Sequence, residues 1–242
     1  MPDGLALAAA LAVASFAGSF ITVALGIGGG VLMLAVMASL LPPAALIPVH
    51  GVVQLGSNLL RAGLLLRHVH WPPFAAFALG TALGVAGGGA IAVNLAPGLV
   101  QMGVGVFVIW SVLTRPPRWL TRLPVVTGLI SSFLSMFFGA TGVFVANFSK
   151  ALNLPRHAHV ATHAVMMTLQ HALKVAAFGA LGFAYGPWLM LIAAMIGAGF
   201  AGTLAGRWAL NRISDRGFKQ ALDVVLVLIS LRLIWAGIRD LM

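Results

Sequence analysis

The sequence predicts an all-α integral membrane protein of two inverted repeats, each a broken or re-entrant helix hairpin followed by three transmembrane helices. Of its 242 residues, 61% are hydrophobic and only 7% are charged, whereas a soluble domain carries about 25% charged residues. The apolar residues form long runs separated by short polar or glycine-rich breaks. The second half of the chain also repeats landmarks of the first. Lipid is therefore expected to surround much of the molecule.

Ten apolar segments are expected to form helices. Most are long enough to cross about 30 Å of hydrocarbon at about 1.5 Å of rise per residue. The second and the seventh are too short, and each follows a glycine-rich break, at 26–30 and at 139–142. Backbone freed at such a break is tolerated at membrane depth only where it is buried in protein or lines a wet cavity. In chain order the segments are 5–25, 31–41, 44–66, 74–93, 98–113, 123–140, 143–152, 160–182, 188–206 and 219–238.

The landmarks of the two halves coincide at a nearly constant offset. A shift of 113 residues places Gly26 on Gly139, Gly29 on Gly142, Pro42 on Pro155, His50 on His163 and Arg61 on Lys174. After a four-residue insertion, Trp71 falls on Trp188 and Gly80 on Gly197. Several coincidences at one offset, including a histidine and a cation within apolar runs, indicate a duplication. We predict a first membrane repeat over 5–113, a basic connecting loop over 114–122 and a second membrane repeat over 123–238.

The distribution of charge predicts the topology. The chain has 14 Lys+Arg and 4 Asp+Glu, a formal net charge of +10. Because the basic residues lie mostly in short loops, this charge favours positive-inside orientation over a nucleic-acid partner; attraction of anions is the alternative. If 5–41 and 123–152 are hairpins that enter and leave on one side, all four basic loops are cytoplasmic. Loop 67–73 is then inside and its repeat mate 183–187 outside, so the halves are inverted, as in many transporters.

Two of the predicted helices, 44–66 and 160–182, each carry a polar stripe along an otherwise apolar surface. At about 100° per residue the members of each stripe fall within one arc of about 100°. Ionisable residues inside a membrane are costly and usually face the protein interior or an aqueous path. Two alternatives stay open: the cations can snorkel to headgroups, and the amides and histidines can simply bond helices together. The stripes are His50, Gln54, Ser57, Asn58 and Arg61, and His163, Gln170, His171 and Lys174.

These stripes suit an anionic ligand. They offer hydrogen-bond donors and positive charge, and the only acidic residue in any predicted span is Asp223. A half-helix that begins at a glycine break aims free N–H groups and a positive dipole end into the protein, which also favours an anion. The alternative for these glycines is a tight hairpin or close helix packing. The break residues added to the predicted substrate-binding set are Gly28, Gly29, Gly30, Thr141 and Gly142.

Other patterns predict no further chemistry. The His-x-His pairs at 68–70 and 157–159 lie in short basic loops without acidic or cysteine partners, and the chain has no cysteine, so we expect no metal site and no cofactor. The small-residue runs at 80–90 and 197–206 are expected to let helices approach closely.

The doubled module resembles the TauE/SafE permeases, also called the sulfite exporter or TSUP family. The resemblance rests on GIGGGVLMLAVMASLLPP at 26–43 and HVHW at 68–71, and on GATGVFVANFSKALNLP at 139–155. It implies a multi-pass carrier in the bacterial inner membrane for sulfur-containing anions such as sulfite or organosulfonates, or for small carboxylates. The chain departs from the family pattern in GATG, which replaces a glycine-rich break, and in His50-Gly51, where many members have small hydroxyl residues.

We therefore hypothesise a transporter, and not an enzyme, in which a small anion binds near the membrane midplane between the repeats. Rocking of the two halves would alternate access to the site, and export is the expected direction. There are two alternatives. One is an intramembrane enzyme with histidine as its base, and the other is a scaffold subunit whose polar stripes only form hydrogen bonds between helices. The sequence does not determine the oligomeric state.

Overall fold

A computed structural model describes residues 4–25, 28–92, 96–114, 123–139, 141–209 and 215–242. The described residues are helical apart from turns and short connections, with no strand among them, which confirms the all-α membrane fold. Two short 3-10 turns, Leu66–His68 and Gly186–Trp188, join longer helices. The α-helices are α1 (Gly4–Leu25), α2 (Gly29–Leu40), α3 (Pro43–Leu65), α4 (Phe74–Ala92), α5 (Pro97–Leu113), α6 (Pro124–Phe138), α7 (Gly142–Ala151), α8 (Arg156–Ala180), α9 (Leu189–Ala209) and α10 (Asp215–Leu241).

Each predicted apolar segment corresponds to one of these helices, and most bounds agree to within a few residues. The largest differences are the starts of α8 and α10, predicted at 160 and 219 but located at Arg156 and Asp215. Both helices begin with polar or basic residues that an apolar pattern does not include. In α8 the preceding Pro155, with its fixed φ of −53°, stands at the cap position and begins the helix before the apolar run.

Three helical stretches are long and apolar enough to cross a membrane by themselves: Gly4–Ala24, Phe74–Ile91 and Gly186–Trp208. The stretches in α4 and α9 correspond to predicted crossings. The sequence predicts the stretch in α1 as one arm of a hairpin, but its 21 residues are enough to cross the membrane alone. The predicted crossings α3 and α8 are longer still, with 23 and 25 residues, but their polar stripes make them less apolar. That 5–41 and 123–152 form hairpins which enter and leave the membrane on one side remains a prediction.

The chain folds into two compact units that interleave along the sequence. Unit 1 comprises 1–47, 95–115 and 189–242, and unit 2 comprises 48–94 and 116–188. Unit 1 thus holds α1, α2, α5, α9 and α10, whereas unit 2 holds α4, α6, α7, α8 and α3 from Pro48 onward. Each unit draws helices from both sequence halves. The compact units show which helices pack together, and they do not test whether the two sequence halves are repeats. The division into repeats at 5–113 and 123–238 therefore stays a prediction.

In unit 1, α1 packs closely against α9 through glycines, as the small-residue run predicted. A Cβ added at Gly202 would overlap the carbonyl of Phe16, and one at Gly206 would lie 2.9 Å from the carbonyl of Phe20. In unit 2, α6 packs against α4 in the same way. A Cβ at Gly84 would overlap the carbonyl of Leu129, and one at Gly88 would lie 3.0 Å from the carbonyl of Phe133.

These two packings are equivalent position by position. Subtracting 113 from Leu129 and Phe133 gives Phe16 and Phe20, and their glycine partners differ by 118. This match between helices of different units supports the predicted duplication. These contacts also correct the predicted alignment of the halves by one residue. An offset of 117 residues matches Gly80 to Gly197, but a Cβ at Gly80 would overlap the Val125 carbonyl, whereas one at Gly197 would meet nothing within 4 Å.

The helix breaks sit at corresponding places in the two units. In unit 1, Gly28 adopts φ 105°, and Gly29 lies so close to the Gly18 carbonyl that a Cβ would overlap it. In unit 2, Gly139 adopts φ 75°, and the Thr141 hydroxyl donates to the Ser131 carbonyl over 2.8 Å. Since Ser131 is 113 residues after Gly18, each break folds back onto the same turn of its preceding helix.

A hydrophobic core in unit 2 fixes the short helix after the break. It joins α4, α7 and α8 through buried side chains. The core consists of Phe77, Val145, Phe148, Met166 and Met167.

Predictions that concern Gly26, the connecting loop from 115 to 122 and the basic loop at 210–214 lie outside the described residues.

Candidate functional site

The polar stripe of α3 forms a ladder of hydrogen bonds along one helix face. Gln54 Nε2 lies 3.5 Å from His50 Nε2, Asn58 Nδ2 donates to the Gln54 carbonyl over 2.8 Å, and Arg61 Nη1 donates to Asn58 Oδ1 over 3.1 Å. The spacings of four, four and three residues place these groups on adjacent turns. Ser57 is buried beside them. The structure therefore brings all five predicted α3 residues onto one face.

Arg61 is only 4% exposed, so its guanidinium does not snorkel to the surface of the protein. Its Nη1 is held by Asn58, whereas its Nε is buried without a hydrogen-bond partner among the described residues. Nε and Nη2 form one straight edge of the planar guanidinium, the edge that binds two oxygens of an oxyanion in parallel. A buried N–H without a partner costs about 1–3 kcal/mol. Such a donor is expected where a ligand completes the site.

Lys174 on α8 is fully buried and is engaged with the second break. Its Nζ donates to the Gly139 carbonyl over 3.1 Å, at the end of α6. A cation at the C-terminal end of a helix is favoured by the helix dipole. Because an ammonium has three protons, this bond leaves further donors on Lys174. The lysine thus supports the break and also adds positive charge beside α3.

Gln170 braces the same break. Its Nε2 donates to Thr141 Oγ1 over 2.9 Å, and its Oε1 accepts from Ser131 Oγ over 3.0 Å. Both ends of the amide are therefore bonded to α6 or to the break, and all three side chains are fully buried. The geometry favours a positioning role for Gln170 and Thr141 over direct contact with a ligand.

Helices α3 and α8 meet where both stripes carry a histidine. The rings of His50 and His171 are edge-to-face with centroids 6.1 Å apart. Next to His50, a Cβ at Gly51 would lie 3.1 Å from Lys174 Cε, so glycine leaves room for the lysine. The His50-Gly51 departure from the family pattern thus has a physical account: one residue faces His171 and the other accommodates Lys174.

The remaining predicted residues divide between the units. His163 Nε2 lies 3.4 Å from the Gly142 carbonyl, which places both beside the second break. Gly28, Gly29 and Gly30 belong to unit 1, whereas the residues described above belong to unit 2. At Gly29 the close approach to Gly18 supports the packing alternative raised from the sequence.

Several buried hydroxyls near the break were missed by the sequence analysis. They come from α6, whose buried face is polar, and Ser132 Oγ has no hydrogen-bond partner within the described parts of the chain. Serines spaced three and four residues apart were the available signal, but serine is common in membrane helices as a packing residue. The missed side chains are Ser131, Ser132 and Ser135, all with 0% exposure.

Unit 2 holds these cations without any acidic residue. The four Asp+Glu of the chain are Asp3, Asp215, Asp223 and Asp240, and none lies in 48–94 or 116–188. Arg61 and Lys174 therefore have no carboxylate counter-charge within the unit that buries them. Burying a charge without a partner is unfavourable, and an anionic ligand would relieve that cost.

The two His-x-His pairs also meet in this unit. The rings of His68 and His157 are 5.4 Å apart, and the His70 amide donates to Thr162 Oγ1. Among the residues that the structure describes, no group of three or more histidine or acidic side chains is placed to hold a metal ion.

A buried, acid-free set of donors and cations in a multi-pass all-α membrane protein favours the class of membrane transporters for small anions. The comparison with protein families agrees. Residues 10–233 match the family model described as Sulfite exporter TauE/SafE, and the chain belongs to this family. Its members are transporters of sulfite-like anions, so a small anion and membrane lipid are the implied partners. No curated protein and no solved structure gave a match.

Proposed function

We propose that this protein carries small sulfur-containing oxyanions, such as sulfite or an organosulfonate, across the bacterial inner membrane. The binding site would lie between α3 and α8 of unit 2. The observation that carries this proposal is the Arg61 guanidinium, whose Nε is buried without a partner among the described residues. The second buried cation of this unit, Lys174, likewise has no acidic residue in its unit.

The free edge of Arg61 favours a particular ligand geometry. Sulfite, sulfonate and carboxylate each present two oxygens that can accept parallel hydrogen bonds from Nε and Nη2. A halide presents a single centre and cannot use both donors in this way. We assign the third oxygen of a sulfur oxyanion to the other buried donors of unit 2, Lys174 and the α6 hydroxyls, and this assignment favours the sulfur oxyanions over a carboxylate. A small carboxylate remains the second candidate because it fits the same edge.

The proposed mechanism is alternating access by the two inverted repeats, with export as the direction. An inside-negative potential favours exit of negative charge by about 2.3 kcal/mol per charge per 100 mV. No acidic residue in unit 2 is available to couple the movement to another ion. The matching helix packings of the two halves support an architecture in which equivalent elements exchange positions.

Liposomes that contain the purified protein would test the site. Arg61→Lys keeps the positive charge but removes the planar edge, so we expect oxyanion flux to fall by at least about tenfold, since a charge-assisted hydrogen bond contributes about 1.5–3 kcal/mol. The matched control is Arg67→Lys, which makes the same exchange at an exposed position and should leave flux unchanged. Sulfite, methanesulfonate, acetate and chloride would be compared. Oxyanion flux equal to wild type in both Arg61→Lys and Arg61→Ala would refute the proposed site.

A further inference from the structure

The buried histidine pair of α3 and α8 points to a second cargo. We infer that His50 and His171 together bind one proton when the site holds an anion, so that the carrier moves a proton with each anion. This inference rests on the proposed function and adds the coupling ion. The two rings contact edge to face, with centroids 6.1 Å apart. His50 is 0% and His171 1% exposed, so the pair exchanges protons with water only when the site opens.

The pair has spare capacity for a proton. His171 Nδ1 is buried and has no hydrogen-bond partner among the described residues. A neutral imidazole keeps one nitrogen lone pair that can accept a proton, and histidine is the side chain that titrates nearest neutrality. Because two adjacent imidazolium ions would repel each other strongly in a dry interior, the pair takes one proton and not two.

The charged groups around the histidine pair make its protonation depend on whether an anion is bound. The charged or titratable neighbours of His171 are Lys174, His50 and His163, and Arg61 lies on the same ladder as His50. All are cationic or can become so. On the other elements that pack against α8, the titratable residues are Lys150, which is exposed, and Arg67 and His68 of the 3-10 turn. No acidic residue of unit 2 offsets this positive charge.

In the empty site, Lys174 therefore opposes a further positive charge on the pair. A bound anion cancels part of its field and allows the proton to join. By thermodynamic reciprocity, the proton then strengthens anion binding by the same factor. The step is a simple acid–base exchange: an imidazole lone pair takes a proton from water on the loading side, and the imidazolium returns it on the releasing side. No bond to the anion forms or breaks.

Coupling changes what drives transport. A monoanion that moves with a proton carries no net charge, so the membrane potential does not drive it and the gradients of anion and proton set its direction. A dianion with one proton still carries a single negative charge, and the potential still favours its exit. The histidine pair would therefore allow one site to handle anions of different charge in different ways.

A transport assay with methanesulfonate measures the coupling directly, because this sulfonate stays ionised throughout the neutral range and any pH effect belongs to the protein. The protein would be reconstituted in liposomes that contain a trapped pH indicator, with the potential set by potassium and valinomycin. We expect the lumen to acidify as methanesulfonate enters, with about one proton per anion. The anion flux should change less than twofold between 0 and −120 mV.

Variants assign the proton to the pair. In His50→Gln and His171→Gln, anion movement should lose its proton and become dependent on the potential. The control His157→Gln replaces an exposed histidine and should keep the wild-type ratio. If a variant does not accumulate, proton uptake by the wild type on binding methanesulfonate, measured by titration calorimetry in buffers of different ionisation enthalpy, provides the second test.

The possible failures are distinguishable. Wild-type flux that follows the potential and moves no proton would overturn the coupling and leave the proposed function intact. Coupled flux that persists in both histidine variants would overturn the assignment to this pair. Absence of flux for sulfite, methanesulfonate and acetate alike would overturn the proposed function, and the coupling with it.

Discussion

Arg61 combines two properties that oppose each other in the empty protein. Its guanidinium can bind an oxyanion, yet it is buried in a unit without a carboxylate. Replacing even a buried ion pair by apolar groups of similar volume is often neutral or stabilising by about 1–4 kcal/mol, and a buried charge without a counter-charge is costlier than a paired one. We therefore predict that Arg61→Met raises the unfolding temperature of the ligand-free protein in detergent and abolishes the stabilisation by added sulfite.

The control for this prediction is Arg67→Met, because Arg67 is exposed. It should change neither the unfolding temperature nor the response to sulfite. If Arg61→Met lowers the stability of the ligand-free protein, Arg61 is satisfied by groups of the protein itself. The buried guanidinium would then be structural, and the binding site would have to be sought elsewhere.

The helix face that carries the candidate site was predictable from the sequence, but the hydrogen-bond partners of its residues were not. Helical periodicity alone placed Gln54, Asn58 and Arg61 on one face, and the structure confirms it. The bond from Lys174 to the Gly139 carbonyl joins residues 35 positions apart and depends on how α8 meets the end of α6. The two polar stripes are similar in sequence but make different contacts. The α3 stripe forms hydrogen bonds along its own helix, whereas the α8 stripe bonds to the break between α6 and α7.

Among the helices, the close packing of α1 and α9 offers a test with an internal control. A Cβ at Gly202 would overlap the Phe16 carbonyl, whereas a Cβ at Gly197 would meet nothing within 4 Å. Overpacking of a tight contact typically costs about 1–3 kcal/mol. We predict that Gly202→Ala lowers the free energy of unfolding by that amount, measured by titration with SDS in mixed micelles.

The control Gly197→Ala should be neutral or stabilising by up to about 1 kcal/mol, because alanine is the better helix former. The equivalent pair in α4 is Gly84, whose Cβ would overlap the Leu129 carbonyl, and Gly87, whose nearest neighbour would be 3.8 Å away. The two pairs should respond alike. Similar losses for Gly202→Ala and Gly197→Ala would mean that α1 and α9 do not pack through this face.

The helices themselves follow closely from apolar periodicity and from glycine and proline at their ends. Their register across the duplication does not. Glycines are so frequent in 80–90 and 197–206 that the sequence matches at more than one offset. Only the observed contacts, Gly84 on Leu129 and Gly202 on Phe16, select an offset of 118 over 117. A contact between helices from different halves leaves no trace in a single sequence.

At the scale of the whole molecule, the two sequence halves exchange helices. The first helix of each half packs against the fourth helix of the other half: α1 against α9, and α6 against α4. The most extensive packing of each first helix therefore comes from the other half. Each half therefore needs the other to bury these glycine contacts, which explains why the compact units cut across the predicted repeats.

The predicted inversion of the halves has a direct test, because the chain contains no cysteine and a single introduced one reports without background. Loop 67–73 is expected in the cytoplasm and its mate 183–187 outside, since basic residues are retained on the cytoplasmic side. We predict that a membrane-impermeant maleimide labels Ala184→Cys in intact cells but labels Pro72→Cys only after permeabilisation. Both positions are exposed, and neither substitution removes a charge. Labelling of both from the same side would place the repeats in parallel and exclude an inverted architecture.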